Sequence, residues 1–217
     1  MGMLNSEALT LDRVKLASDP RFDQLVAIYR EALPRSERKP AAKLAKMIAQ
    51  PGYIFLVLML DGKVVGFAIA VCFERTDACL IEYMAIAGEM RGHGLGHTLF
   101  KSVLELPEIR DRYLLAEVES EEVPSADHVD RVRRKRFYRK LGCRQIEGLD
   151  YIMPAVSTST PPAMNILVYR RELPEDLSKG QLRMWLEDIY VNVYWRSSSD
   201  PQIDKMLENL PERPRLI

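Results

Sequence analysis

The apolar residues change period several times along the chain, and each change predicts an element. Leu9, Leu11, Val14 and Leu16 suggest a first strand that ends near Asp19-Pro20. Phe22, Leu25, Ile28, Tyr29 and Ala32 then recur at helical spacing up to Pro34, and a second short helix is predicted from Pro40 to Gln50, with proline in its first turn. From Tyr53 the period becomes that of strands. Tyr53 to Leu60 and Lys63 to Phe73 flank Asp61-Gly62, a two-residue hairpin signal, and Leu80 to Ile86 follows. After the run Arg91-Gly92-His93-Gly94-Leu95-Gly96, a helix carries Leu95, Leu99, Phe100, Val103 and Leu104 until Pro107 stops it. Tyr113 to Glu119 reads as a strand, and Asp130 to Leu141 as a helix closed by Gly142. Two more strands are predicted at Arg144 to Ile152 and Asn165 to Arg170, separated by the loop from Pro154 to Pro162. Leu182, Trp185, Leu186, Ile189, Tyr190 and Val193 form the stripe of an amphipathic helix, and Asp200-Pro201 opens a final short one. The sum is an α/β fold with a mixed, mostly antiparallel central sheet flanked by helices over residues 1–172. A helical extension over 173–217 is expected to pack on that domain or on a second subunit.

Composition narrows the function classes. The 217 residues carry 31 Lys+Arg against 31 Asp+Glu, so the molecule exerts no long-range pull on nucleic acid or anionic membrane. Bulk nucleic-acid packaging is excluded. The longest apolar run, Tyr53 to Leu60, falls far short of the ~20 residues of a spanning helix, and no signal-peptide core is visible. Met1 to Ser6 satisfies the short M-G-x-x-x-[ST] myristoylation pattern, which chance also explains. Cys72, Cys79 and Cys143 show neither CxxC spacing nor histidines at zinc-ligand spacing. They predict reduced thiols in a cytoplasmic protein, with no disulfide and no metal site.

The glycine run lies between an apolar strand and an amphipathic helix. Its backbone N–H groups could converge on a phosphate or pyrophosphate at the positive helix end, and a plain tight turn is the alternative. A Rossmann fingerprint would need glycine where His97 stands, and a P-loop would need Gly-Lys-Ser/Thr, which is absent.

The segment resembles motif A of the GCN5-related N-acetyltransferases (GNAT), R/Q-x-x-G-x-G/A, met here by Arg91, Gly94 and Gly96 after the strand Leu80 to Ile86. A second signature of that family, F-Y-x-K-x-G-F, is matched one strand later by Phe137-Tyr138-Arg139-Lys140-Leu141-Gly142-Cys143. The element order also agrees, and the resemblance covers roughly residues 9 to 170. It implies acetyl-CoA as cosubstrate and acyl transfer to an amine. It also implies a cofactor site built from Met84, Ala85 and Ile86, the loop Arg91, Gly92, His93, Gly94, Leu95, Gly96 and His97, and the cations Arg131 and Arg134. Oxyanion donors are expected among the backbone N–H groups from Ala85 to Ala87. Arg131 and Arg134 themselves depart from the family, since many members carry Asn and Ala there, and Cys143 replaces the usual Phe.

Transfer from a thioester needs an unprotonated amine, a polarised carbonyl and a proton for the departing thiolate. Glu82, a carboxylate in an otherwise apolar strand, is the expected base, with Glu117 and Glu119 as substitutes; an ion-paired strand residue is the plainer reading of Glu82. Tyr138 is the expected acid, and a core tyrosine beside Phe137 the plainer reading. His93 and His97 could touch phosphate or simply be solvated. Acidic residues from Glu117 to Asp130 precede basic ones from Arg131 to Arg144. Helix-dipole preference explains that order, CoA phosphates could use some of the cations, and a DNA-binding helix is disfavoured by zero net charge. The resulting expectation is direct acetyl transfer to an amine acceptor, a small molecule before a protein amine. A noncatalytic acyl-CoA-binding or interaction module is the alternative. No nucleic acid or membrane partner is expected, and a homodimer through the C-terminal stripe is left open.

Overall fold

A computed structural model describes residues 9–156 and 160–217. The myristoylation-like match at the N-terminus lies outside these residues. Strands β1 (Leu9–Arg13), β2 (Tyr53–Leu60), β3 (Lys63–Cys72), β4 (Ala78–Ile86), β5 (Tyr113–Glu119), β6 (Arg144–Gln145) and β7 (Met164–Tyr169) form one sheet in the order β1-β2-β3-β4-β5-β7-β6. All pairings are antiparallel except β4 with β5. The hairpin between β2 and β3 turns at Asp61 (φ 47°) and Gly62 (φ 77°), the left-handed pair that a two-residue turn requires.

Helices cover both faces. On one side lie α3 (Leu95–Leu104) and α4 (His128–Lys140), whose Leu99, Phe100, Val103 and Tyr138 pack on Ile81, Ala116 and Leu167. On the other, α1 (Pro20–Ala32) and α2 (Ala41–Met47) cover Phe55, Phe67 and Ile69 at one end. The remaining end belongs to α5 (Lys179–Asn192) and α6 (Pro201–Glu208), which cover Leu80, Leu115 and Ile166. The Trp185 and Tyr190 rings of α5 are fully buried there, so the sheet of the same chain covers the stripe. Caps fix both ends of this segment: Ser178 accepts from Gln181 N–H ahead of α5, and Asp200 from Gln202 N–H ahead of α6, with Pro201 at the first helical position.

Three expectations change. The strand expected over Arg144 to Ile152 is only Arg144–Gln145 plus an isolated bridge at Tyr151; Ile146 pairs instead with Leu216 of the C-terminal tail. Pro40 is the residue before α2 and not part of its first turn. Cys72 and Cys79, directly opposite one another on β3 and β4, are joined as a disulfide, leaving Cys143 as a buried free thiol. Two residues seven apart share no sequence spacing rule, but hairpin register places them face to face. That pairing removes the cysteine-based argument for a reducing compartment. Among the described residues, no helix is long and apolar enough to cross a membrane, and no cluster of three His, Cys, Asp or Glu is placed to hold a metal.

Candidate active site

The parallel pairing of β4 and β5 runs only from Ala78–Tyr113 to Ile81–Ala116, although both strands continue. Beyond that point they splay. Ala87 N–H donates to Val65 O on β3, and strand alternation sends Ala85 N–H to the same side. The N–H groups of Met84 and Ile86 therefore face the gap; of the expected donors Ala85 to Ala87 only Ile86 does so, and Met84 lies one residue before that range. A cleft of about 350 Å³ opens here, lined by Met84, Ala85, Ile86 and Arg91 on one wall and by Glu117, Glu119, Arg134 and Tyr138 on the other.

The glycine loop starts at Arg91, on the wall of this cleft. Gly92 (φ 86°) and Gly94 (φ 79°) adopt left-handed conformations, and Gly94 is the N-cap of α3 with no side chain capping the helix. The first N–H groups of α3, on Leu95 and Gly96, are thus left for an anion at the positive helix end. Gly96 packs with its α-carbon toward Phe137, where an added methyl would make ordinary contact at 3.6 Å. Arg91 is tied back by its Nε to Ile86 O at 3.2 Å. His93 and His97 are exposed, and His93 Nδ1 lies 3.3 Å from Met90 O.

The cations of α4 divide. Arg131 is buried and engaged by Glu119 (3.0 Å), Asp127 (3.1 Å) and Ser120 O (3.3 Å), so it is spent inside the protein. Arg134 pairs with the other oxygen of Glu119 yet stays 42% exposed at the cleft wall. Lys135 pairs with Glu121 and Asn165. The acidic-then-basic order in the sequence is therefore largely a set of ion pairs between the end of β5 and α4.

A β-bulge re-aims the expected base. Opposite Ile69 and Ala70 of β3, β4 carries an extra residue, so Tyr83 pairs with Ile69 while Ile81 pairs with Ala70. The extra residue is Glu82. Its carboxylate is 3% exposed, ion-paired with the buried Lys39 ammonium and accepting from Tyr53 OH at 3.1 Å. Lys39 also donates to Val193 O at 3.2 Å. Glu82 is thus an ion-paired residue under the splay, outside the cleft lining. Glu117 does line the cleft, and each of its carboxylate oxygens accepts from a phenol: Oε1 from Tyr151, and Oε2 from Tyr194 at 2.7 Å. Burial pushes its carboxyl up to about 7, against the two phenol hydrogen bonds that lower it. Glu37, beyond the end of α1, lines the same cleft and is likewise raised to about 7 by burial and by the nearby Glu119 charge. Tyr138 is 8% exposed within a cluster of rings from Phe100 and Phe137, and burial holds its phenol well above the ordinary value. Of the residues expected at the site, Met84, Ala85, Ile86, Arg91, Arg134 and Tyr138 line this one cleft, as do Glu117 and Glu119. The sequence does not announce Lys39, Tyr53, Tyr151 or Tyr194, whose hydrophobic or isolated positions give no periodic signal.

Residues 51–144 match the family model of the acetyltransferase (GNAT) domain. Over 131 residues the chain is 28% identical to human N-acetylaspartate synthetase, covering 58% of this chain and 41% of that protein, and the rat protein matches over the same shares. The chain thus spans about 41% of the length of these curated relatives. A solved structure from Bacteroides thetaiotaomicron, described as an acetyltransferase of the GNAT family, superposes with a TM-score of 0.70 at 18% identity, covering 85% of this chain and 98% of that one. Arabidopsis thaliana NAA60, solved in complex with acetyl-CoA, gives a TM-score of 0.55 at 14% identity over 74% of this chain and 97% of its own. Both likenesses show the fold. Family model, element order and fold agree: residues 51–144 match the GNAT acetyltransferase domain, and the chain is similar to GNAT acetyltransferases in fold.

Proposed function

We propose that this chain transfers an acetyl group from acetyl-CoA directly to an amine, with Glu117 as the base and Tyr138 as the acid. The observation that carries this reading is the juxtaposition of three features at one splay: an uncapped helix N-terminus, two inward N–H groups, and a carboxylate poised at about 7. The residues present fit an acyl-CoA. Leu95 and Gly96 N–H, with Arg134 at the wall, suit its phosphates, and the open edges of β4 and β5 suit an amide-bearing arm that pairs like a strand. The bound thioester supplies the activated acyl carbon.

Glu117 accepts a proton from the acceptor ammonium, freeing the nitrogen lone pair that forms the new N–C bond. Met84 and Ile86 N–H are placed to donate to oxygen charge as that bond forms. Tyr138, kept protonated by burial, donates to the sulfur as the C–S bond breaks. No covalent enzyme intermediate is involved.

A small-molecule acceptor is favoured because Glu117 is reached through a cleft of only about 350 Å³. The test is thiol release from acetyl-CoA over a panel of amines that includes L-aspartate, suggested by the N-acetylaspartate synthetase relatives, simple alkylamines and a peptide N-terminus. Acetylation of one class identifies the acceptor. Binding of acetyl-CoA with no transfer to any member supports the noncatalytic module instead.

A further inference from the structure

We propose that Tyr194, just beyond α5, is a positioning residue for Glu117, so that the C-terminal helices complete the active site as well as covering the sheet. The inference rests on the reading of Glu117 as the base. Tyr194 OH donates to Glu117 Oε2 at 2.7 Å, and Tyr151 OH holds the other oxygen, so the carboxylate has one rotational setting. The charged groups nearby are Glu82 and Lys39. Lys39 is anchored from the same place, its Nζ donating to the carbonyl of Val193. Adjacent residues of one turn therefore hold both the cation that neutralises Glu82 and the phenol that sets Glu117.

The backbone fixes that turn. Val193 N–H and Tyr194 N–H both donate to Ile189 O, and Arg196 N–H closes on Tyr190 O at 2.8 Å. Trp195, between them, sits at φ 56°, a left-handed conformation that a bulky side chain seldom adopts, and its ring covers the Lys43 ammonium at 3.8 Å. Such a turn aims Tyr194 inward in one direction.

Two substitutions at Tyr194, with Glu117→Gln as the reference, test the proposal in the whole 217-residue chain. In wild-type protein with ¹³C-labelled glutamate side chains, the Glu117 signal, identified by its loss in Glu117→Gln, should titrate at about 7. Tyr194→Phe keeps the ring but removes a hydrogen bond to the charged carboxylate, and should move that midpoint up by roughly one pH unit. The acid limb of kcat/KM, measured with whichever panel amine is acetylated, should move with it while the KM for acetyl-CoA stays constant. Replacing Tyr194 with 3-fluorotyrosine, a stronger donor of the same shape, should move the midpoint down. An unmoved Glu117 titration in both variants, or a loss of rate equal at every pH, overturns the positioning role. Full activity in Glu117→Gln overturns the base assignment itself, a result separate from the titrations.

Discussion

Glu82 and Glu117 leave neighbouring strands at the same splay, and their surroundings separate their roles. Glu82 faces a buried ammonium, so Glu82→Gln should leave Lys39 uncompensated and cost about 3–5 kcal/mol of stability, read as a fall in Tm. Glu117→Gln should instead lower kcat about 10²–10⁴-fold and abolish the acid limb, because the base works only when deprotonated, above about 7. A second signature follows from linkage. The folded protein keeps the Glu117 proton up to about 7 while the unfolded chain releases it near 4.5, so between those values the native state binds more protons and stability falls as pH rises. Thermal unfolding from pH 5 to 8 should show that slope in wild type and a shallower one in Glu117→Gln, with Glu37 supplying the remainder. The sequence marks both glutamates as charges in apolar strands, but the choice between them depends on Lys39, 43 positions from Glu82, and Tyr194, 77 positions from Glu117. Local pattern carries no trace of partners at that distance.

The elements themselves were largely legible, because period, caps and turn residues are local. Asp61-Gly62 announces the hairpin, and Asp200-Pro201 the last helix. The β-bulge at Glu82 was not legible: Leu80 faces α5 and α6 while Tyr83 faces α1, a change of parity that an unbroken apolar run conceals. The short β6 escaped for a similar reason, since the residues after it bridge to the C-terminal tail and to β7 instead of extending the strand. At the glycine loop two substitutions separate folding from binding. Gly94→Val places a branched side chain at φ 79° and should cost about 1–2 kcal/mol while removing stabilisation by acetyl-CoA. Gly96→Ala, whose methyl meets ordinary contacts with Phe137 and Ile86, should fold with near wild-type Tm, so any loss of acetyl-CoA binding reports on close backbone approach at the helix N-terminus. Circular dichroism melts with and without acetyl-CoA read both effects.

At the scale of the molecule, one face of the sheet carries the α3 and α4 side of the cleft, and the other is shared by α1 with α2 and α5 with α6. The polar cluster of Glu82, Lys39, Tyr53, Glu117, Tyr151 and Tyr194 sits where those two helix pairs meet under the splay. Removing residues 178–217 would uncover Leu80, Leu115 and Ile166 and strip away Trp185 and Tyr190, so the truncated chain should lose fixed tertiary packing, seen as a lost near-ultraviolet circular dichroism signal. The cover by the same chain was open in the sequence, because an apolar stripe states that it must be buried and not by what. The splay and the uncapped N-terminus of α3 are the proposed acetyl-CoA site. Titration calorimetry of the full chain with acetyl-CoA measures it directly: saturable one-to-one binding, lost in Gly94→Val and retained in Glu117→Gln, is the predicted result, and no binding by the unmodified chain contradicts it.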